Sequence, residues 1–208
     1  MRANYFYSAF FMIAVLSMLL MSGHYLFSDD TGILKTKDIS AATWYLITFR
    51  IHICGGILAM FIGALQLIKP FRKRSVKLHR LLGYVYVIAI CFSSIAGLVI
   101  AQFAMGGIST QIGFSILAIC WFYTTYRATH AVIHGDIKKH KVWILRSYAL
   151  SFSAITQRTL LLVPLLTSID FMMIYRLSAW LPWMLNLLFV EWIRRKQKKV
   201  QTKLSTVL

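Results

Sequence analysis

The sequence is poor in acidic residues, with six Asp and Glu against 23 Lys and Arg in 208 residues. It also has only three cysteines, Cys54, Cys91 and Cys120, and all three lie inside apolar runs. This placement excludes a disulfide framework or a CxxC metal site and is typical of small packing residues. The chain has no phosphate-binding loop, nucleophile–base set or carboxylate pair, so soluble-type hydrolysis and phosphoryl transfer have little support.

Apolar residues, by contrast, are abundant: 59% of the chain is hydrophobic and the mean hydropathy is +0.68. Several apolar runs exceed the roughly 18–20 residues that a bilayer crossing requires. The basic residues lie in short loops between these runs and in the C-terminal tail, which is the positive-inside pattern of membrane proteins. The net charge of +17 therefore indicates topology. Because no basic groove appears in a soluble segment, we expect a lipid bilayer and no nucleic acid as a partner.

We predict an all-α protein with a single integral membrane domain over residues 1–208. Six transmembrane helices, numbered as the first to sixth spans, are predicted at about residues 5–27, 45–68, 78–103, 112–134, 142–166 and 171–193. The first could also be a signal peptide, but its apolar run is long and no small-x-small cleavage site precedes the loop. We expect Pro182 to bend the sixth. The alternation of basic loops predicts a plasma-membrane protein with both termini cytoplasmic. A homodimer is compatible with the sequence.

Small and polar residues recur at helical spacing inside spans two to five, which we expect to form a four-helix core. In the second and fifth spans these residues are His52, Gly56, Ala59, Gly63 and Gln66, and Ser147, Ser151, Ala154 and Arg158. Each set shares one helix face. Such faces are typical of helix packing in membrane bundles, and that interpretation suffices for the glycines and serines. It explains the histidines and Arg158 less well.

Arg158 lies about 18 Å beyond Arg146 along the fifth span. If Arg146 is at a membrane surface, Arg158 is near the bilayer middle, where a charge costs at least about 2.5–3.5 kcal/mol. It must therefore face protein, water or a ligand. His52 lies inside the second span next to Arg50, at a depth that Arg158 could reach. We interpret His52, Arg50 and Arg158, with Gln66 on the same face as His52, as a substrate site for haem propionates, an anionic reductant or a quinone carbonyl. The alternative is a histidine hydrogen-bonded within the bundle.

His79 and His140 open the third and fifth spans at the predicted cytosolic boundary. Two imidazoles facing each other across a bundle can ligate haem iron, and Arg80, Lys141 and Arg146 could then pair with the propionates. The residues alone leave two alternatives open, an interfacial role in basic loops or another ligand. For His130 and His134, one turn apart at the end of the fourth span, a role at the basic helix end is favoured over a zinc site.

Three motifs carry a resemblance to a known family. They are HICGGILAMFIGALQL at residues 52–67, KLHRLLGYVY at 77–86 and GDIKKHKVWILRSYALSFSAITQR at 135–158. Together they resemble a bacterial membrane-protein family known as domain of unknown function 2306. The resemblance implies that ten residues belong to the family pattern: His52, Gln66, His79, Arg80, Gly83, His140, Trp143, Arg146, Ser147 and Arg158. It implies no activity.

The predicted architecture is also similar, at the level of the fold, to cytochrome b561, which has histidines in its four central helices. This sequence lacks a histidine on the outer part of the fourth span, which argues against electron transfer through two haems. Our first hypothesis is therefore a membrane oxidoreductase that binds haem b through His79 and His140 and exchanges electrons with a quinone or a small reductant. The alternative is a non-enzymatic assembly or accessory factor, or a small-molecule transporter, with a buried polar site.

Overall fold

A computed structural model describes residues 13, 15–18, 20, 22–28, 39, 42–68 and 75–205, with side chains to residue 197. Every regular element in these ranges is helical. The predicted first span falls mostly outside them: residues 13, 15–18, 20, 22 and 23 are helical, and a short 3₁₀ turn follows at His24–Leu26. The other helices are α1 (Thr43–Leu67), α2 (Val76–Ala101), α3 (Ile108–Ile133), α4 (Ile137–Leu160), α5 (Val163–Leu166), α6 (Phe171–Ser178) and α7 (Leu181–Ser205).

Four helical segments of the described residues are long and apolar enough to cross a membrane: α1, α2, α3, and α4 with α5 taken together as Ile137–Leu166. A fifth is present if α6 and α7, which meet at a bend of 40°, count as one span. The membrane character and the helical class are therefore confirmed. Six spans are not confirmed: the predicted fifth span comprises α4 and α5, and the predicted sixth comprises α6 and α7.

Two proline residues lie just after breaks between helices in the C-terminal third of the chain. Pro164 is the second residue of α5 and Pro182 the second residue of α7. Proline fits the first turn of a helix because its missing N–H would be unsatisfied there anyway, but it disrupts a helix interior. The expected bend in the sixth span is present, at Ala179 and Trp180, just before Pro182.

Capping side chains fix where several helices begin. The Ser75 hydroxyl accepts a hydrogen bond from the Leu78 amide at 3.2 Å, before α2. Asp136 accepts one from the Lys139 amide at 2.9 Å, so α4 starts five residues before the predicted fifth span. Such caps satisfy amide groups that a helix N-terminus leaves without intrahelical partners.

The α2–α3 connection is tighter than predicted, since α3 begins at Ile108 and not near residue 112. Gly106 and Gly107 have φ values of +85° and +87°. Only glycine adopts this left-handed region readily, so these two residues allow the chain to reverse direction within a few positions.

The helices pack in chain order: α1 on α2, α2 on α3, and α3 on α4, while α4 also contacts α1 and α7. Small residues permit the closest approaches. A Cβ at Gly55 would lie 2.7 Å from the Ala89 carbonyl oxygen, and one at Gly63 would collide with the Tyr148 ring. The predicted packing role of the small residues in the second span is thus confirmed for Gly63.

A buried set of hydroxyl groups joins α2, α3 and α4. The Tyr86 hydroxyl lies 2.9 Å from Ser147 Oγ, which lies 2.7 Å from Thr125 Oγ1. Trp121 Nε1 donates to Ser151 Oγ at 2.9 Å. The face of α4 that carries Ser147 and Ser151 therefore points into the bundle, as its spacing predicted.

Two polar contacts attach α7 to α4 at different heights. The Asn186 amide donates to the Ala149 carbonyl at 3.2 Å and to Ser153 Oγ at 3.3 Å. Farther along α7, Arg146 Nε donates to Glu191 Oε1 at 2.6 Å. We call the end of the bundle where Leu67, Val76, Ile133 and Ile137 lie the basic end, and the opposite one the far end.

Candidate functional site

A cavity of about 740 Å³ lies in the far half of the bundle. Side chains from α1 to α4 and α6 form its walls, together with Met18 and Tyr25 from the N-terminal part of the chain. The walls are mostly apolar, and their aromatic members include Tyr45, Phe49, Phe114, Trp121, Phe171 and Tyr175. A cavity of this size falls within the about 300–1,000 Å³ typical of small-molecule sites.

His52 presents a defined tautomer at the cavity wall. Its Nδ1 lies 2.9 Å from the Ser93 carbonyl oxygen, and the Ser93 hydroxyl donates to the His52 carbonyl at 2.7 Å. Since a carbonyl oxygen can only accept, Nδ1 carries a proton, and in the neutral ring Nε2 is then the acceptor. Gly97 makes room for this ring, because a Cβ there would lie 2.9 Å from His52 Nδ1. The neutral imidazole is therefore held in one orientation by α2.

Arg158 is the only charged side chain among the described residues that line the cavity. It lies in the last turn of α4, two residues before Leu160. Its Nη1 donates to the Ala154 carbonyl at 2.9 Å, a contact that suits a cation at a helix C-terminus. A guanidinium has five N–H donors, so this bond leaves several for a ligand.

The cavity thus combines an imidazole acceptor, a guanidinium donor and apolar walls. No carboxylate occurs among the described side chains of its lining. A charge in apolar surroundings is costly unless it is paired, so the site favours a ligand with electron-rich oxygen atoms. The walls favour a flat or aliphatic body for the remainder of that ligand.

The two other predicted substrate residues lie outside this lining. Arg50 is half-buried on α1. Gln66 is at the basic end, where its Nε2 donates to the His79 carbonyl at 3.3 Å. It is fourteen residues from His52, or about 21 Å along the helix. The structure therefore brings His52 and Arg158 to one cavity and places Arg50 and Gln66 elsewhere.

The predicted haem residues all lie toward the basic end, away from the cavity. His140 Nδ1 donates to the Ala128 carbonyl at 2.9 Å, and His79 is half-buried at the start of α2. Arg80 is exposed, whereas Arg146, expected to pair with a propionate, is bound by Glu191. No group of three or more His, Cys, Asp or Glu side chains that could hold a metal ion occurs in the described part of the chain.

Sequence reasoning missed two contributors to the cavity. Ser93, which orients the His52 ring, was recognisable in the sequence only as one of the small and polar residues that recur at helical spacing in the third span. Helix α6 lines the cavity with Phe171, Met172 and Tyr175, although only spans two to five were expected to form the core. The one indication in the sequence that α6 could lie apart from α7 was Pro182, which follows the break between the two helices.

Comparison with known proteins gives one match. The family described as "Predicted membrane protein (DUF2306)" matches residues 49–193, which are 145 of the 208 residues and include both His52 and Arg158. Neither a curated protein nor a solved structure matches the chain.

Proposed function

The chain belongs to the DUF2306 family of predicted membrane proteins, and we propose that its function is to bind a quinone or quinol in the cavity beside His52 and Arg158. The observation that carries this proposal is the pairing, in one apolar cavity, of an imidazole acceptor with a guanidinium and no carboxylate in the described lining. A quinone has a flat ring with two oxygen atoms and an apolar tail. The aromatic walls and the lipid surroundings suit the ring and the tail.

The two polar groups have complementary roles toward such a ring. In the proposed complex, His52 Nε2 accepts a hydrogen bond from a quinol hydroxyl and takes its proton, which leaves an imidazolium and a quinolate oxygen. Arg158 donates to that oxygen or to a quinone carbonyl and stabilises the negative charge. The hydrogen bond from Nδ1 to the Ser93 carbonyl selects the neutral tautomer in which Nε2 is the acceptor, and it also stabilises the imidazolium that forms when Nε2 takes a proton.

Binding of decylubiquinone and of its reduced form to the purified full-length chain in neutral detergent tests this proposal. We expect saturable binding that weakens about tenfold in His52→Ala and in Arg158→Gln, the loss that one charge-assisted or buried hydrogen bond produces. Arg80→Gln, which removes an exposed charge at the basic end, is the matched control and should bind as the unchanged chain does. Equal affinity in all three variants would contradict the proposal.

Haem b ligated by His79 and His140 is a second candidate, and the donor set fits it in part. The bond from His140 Nδ1 to Ala128 leaves Nε2 as the ligating nitrogen, an arrangement typical of metal-bound histidines. Bound haem would supply one-electron transfer. Because Glu191 engages Arg146, we expect Arg80 and Lys141 to remain as the propionate partners among the three predicted.

An absorption spectrum of protein expressed with ample haem separates the two candidates. A Soret band that is lost in His140→Ala but kept in His130→Ala supports haem binding. A colourless preparation that still binds quinone refutes the haem candidate and leaves the quinone proposal standing. A colourless preparation without quinone binding favours the non-enzymatic accessory or transport role. The six spans, the four-helix core, the plasma-membrane location, the cytoplasmic termini and the homodimer remain predictions.

A further inference from the structure

A second group of side chains, outside the cavity, lies at the basic end. Trp143 of α4 is its centre: the Cζ atoms of Arg127 and Arg146 lie 4.8 Å and 4.3 Å from the centroid of its ring. The Tyr123 ring packs edge-on against the indole at 5.7 Å. We call Tyr123, Arg127, Trp143 and Arg146 the Trp143 cluster. Aromatic rings that contact guanidinium groups in this way are held by cation–π attraction.

The cluster carries more positive charge than the protein neutralises. Glu191, the only glutamate in the chain, binds Arg146 at 2.6 Å and Arg194 at 2.8 Å. Arg127 donates from Nη1 to the Tyr123 hydroxyl at 2.8 Å and, within the described residues, forms no ion pair. One carboxylate therefore serves two arginines, while the half-buried Arg127 has hydrogen-bond donors to spare.

The position of Arg127 is that of a lipid headgroup contact. Helix α3 has 26 residues, about 39 Å in length, which exceeds the about 30 Å of a hydrocarbon core. Arg127 lies six residues before the end of α3, or about 9 Å, so it lies near the boundary between hydrocarbon and headgroups. Tyr123 and Tyr126, 46% and 54% exposed, face outward at the same level, as residues of an interfacial aromatic belt do.

We propose that the Trp143 cluster binds the phosphate of an anionic membrane lipid, with Arg127 as its main contact. The planar fork of a guanidinium matches two phosphate oxygens, and the phosphate supplies the counter-ion that Arg127 lacks in the described structure. The exposed tyrosine rings offer the adjoining surface to the acyl chains. This site is independent of the quinone proposal, because none of its residues lines the cavity.

Native mass spectrometry of the full-length chain in neutral detergent, titrated with phosphatidylglycerol or phosphatidylcholine, tests the proposal. We expect phosphatidylglycerol to bind preferentially and to bind about tenfold more weakly to Arg127→Gln. Arg127→Lys, which keeps the charge but loses the fork, should fall between the two. Arg195→Gln is the matched control, because it removes an exposed charge at the same end.

Three outcomes would overturn the proposal. The first is unchanged phosphatidylglycerol binding in Arg127→Gln, with size-exclusion and melting profiles that show a folded protein. The second is an equal loss in Arg195→Gln, which would indicate general charge attraction. The third is competition by inorganic phosphate or glycerol phosphate at concentrations that leave phosphatidylcholine binding unaffected, which would identify a site for free phosphate and not for a lipid.

Discussion

Replacement of Gly97 by alanine tests how His52 is positioned. The added methyl group would lie 2.9 Å from Nδ1 and 3.0 Å from Cε1 of His52. The ring cannot retreat freely because its Nδ1 is bonded to the Ser93 carbonyl at 2.9 Å. We therefore expect Gly97→Ala to displace the imidazole and weaken that bond, while the backbone of α2 stays helical.

The expected magnitude follows from opposing effects. Alanine is favoured over glycine inside a helix by about 1 kcal/mol. Overpacking costs about 1–3 kcal/mol and a weakened buried hydrogen bond about 0.5–1.5 kcal/mol. The net loss in the free energy of unfolding is then about 0.5–3.5 kcal/mol. Gly56, which also lines the cavity, is the matched control, since the nearest atom to its added Cβ is Ser93 Oγ at 4.0 Å.

Thermal unfolding in detergent and decylubiquinone binding, measured for both variants, give the result. Gly97→Ala should unfold at a lower temperature than the unchanged chain and bind the quinone about tenfold more weakly. Gly56→Ala should be as stable or slightly more stable. If Gly97→Ala is as stable as Gly56→Ala, the predicted clash with His52 does not exist. If it is less stable but binds quinone with unchanged affinity, His52 is not the contact that we propose.

Substitutions at Tyr86 and Asp136 test the interior and the end of the bundle. Tyr86→Phe removes the hydroxyl that bonds Ser147 and should lower the free energy of unfolding by about 1–2 kcal/mol. Tyr84→Phe, at a ring that is 65% exposed, is the control and should change the free energy of unfolding little, and denaturant melts of both variants give the comparison. At Asp136, hydrogen bonds from Lys139 hold the pKa of the carboxyl below its usual value, so its contribution is complete above about pH 4 and is lost as pH falls through the lowered pKa. Asp136→Ala should therefore melt at a lower temperature than the unchanged chain at pH 7 but not at the lowest pH. Asp136→Asn, which keeps the cap, should remove the part of the stability that depends on the charge of the carboxylate. A difference in melting temperature between Asp136→Ala and the unchanged chain that persists unchanged to low pH would refute this explanation.

The sequence was most informative where one helix face decides the outcome. The spacing of Ser147, Ser151 and Arg158 predicted a face of α4 that points inward, and that face forms hydrogen bonds with Tyr86 and Trp121 and contributes to the cavity. These features depend on local periodicity, which the residue order contains directly.

The sequence was least informative where residues from distant segments meet. Arg146 was expected to bind a propionate because nothing local showed that Glu191, 45 residues later, would reach it. Local sequence likewise did not show that α6 would line the cavity, because the position of this helix depends on the chain breaks on either side of it. Gln66 shares a face with His52, but helix rise alone separates the two by several turns. A shared face was therefore too weak a criterion for a shared site.

The two contacts that attach α7 to α4 have a mechanical consequence. Asn186 and Glu191 are more than one helical turn apart, and each bonds a different level of α4. Sliding one helix along the other would break both contacts at once, so the two contacts together oppose an axial shift of α7 against α4.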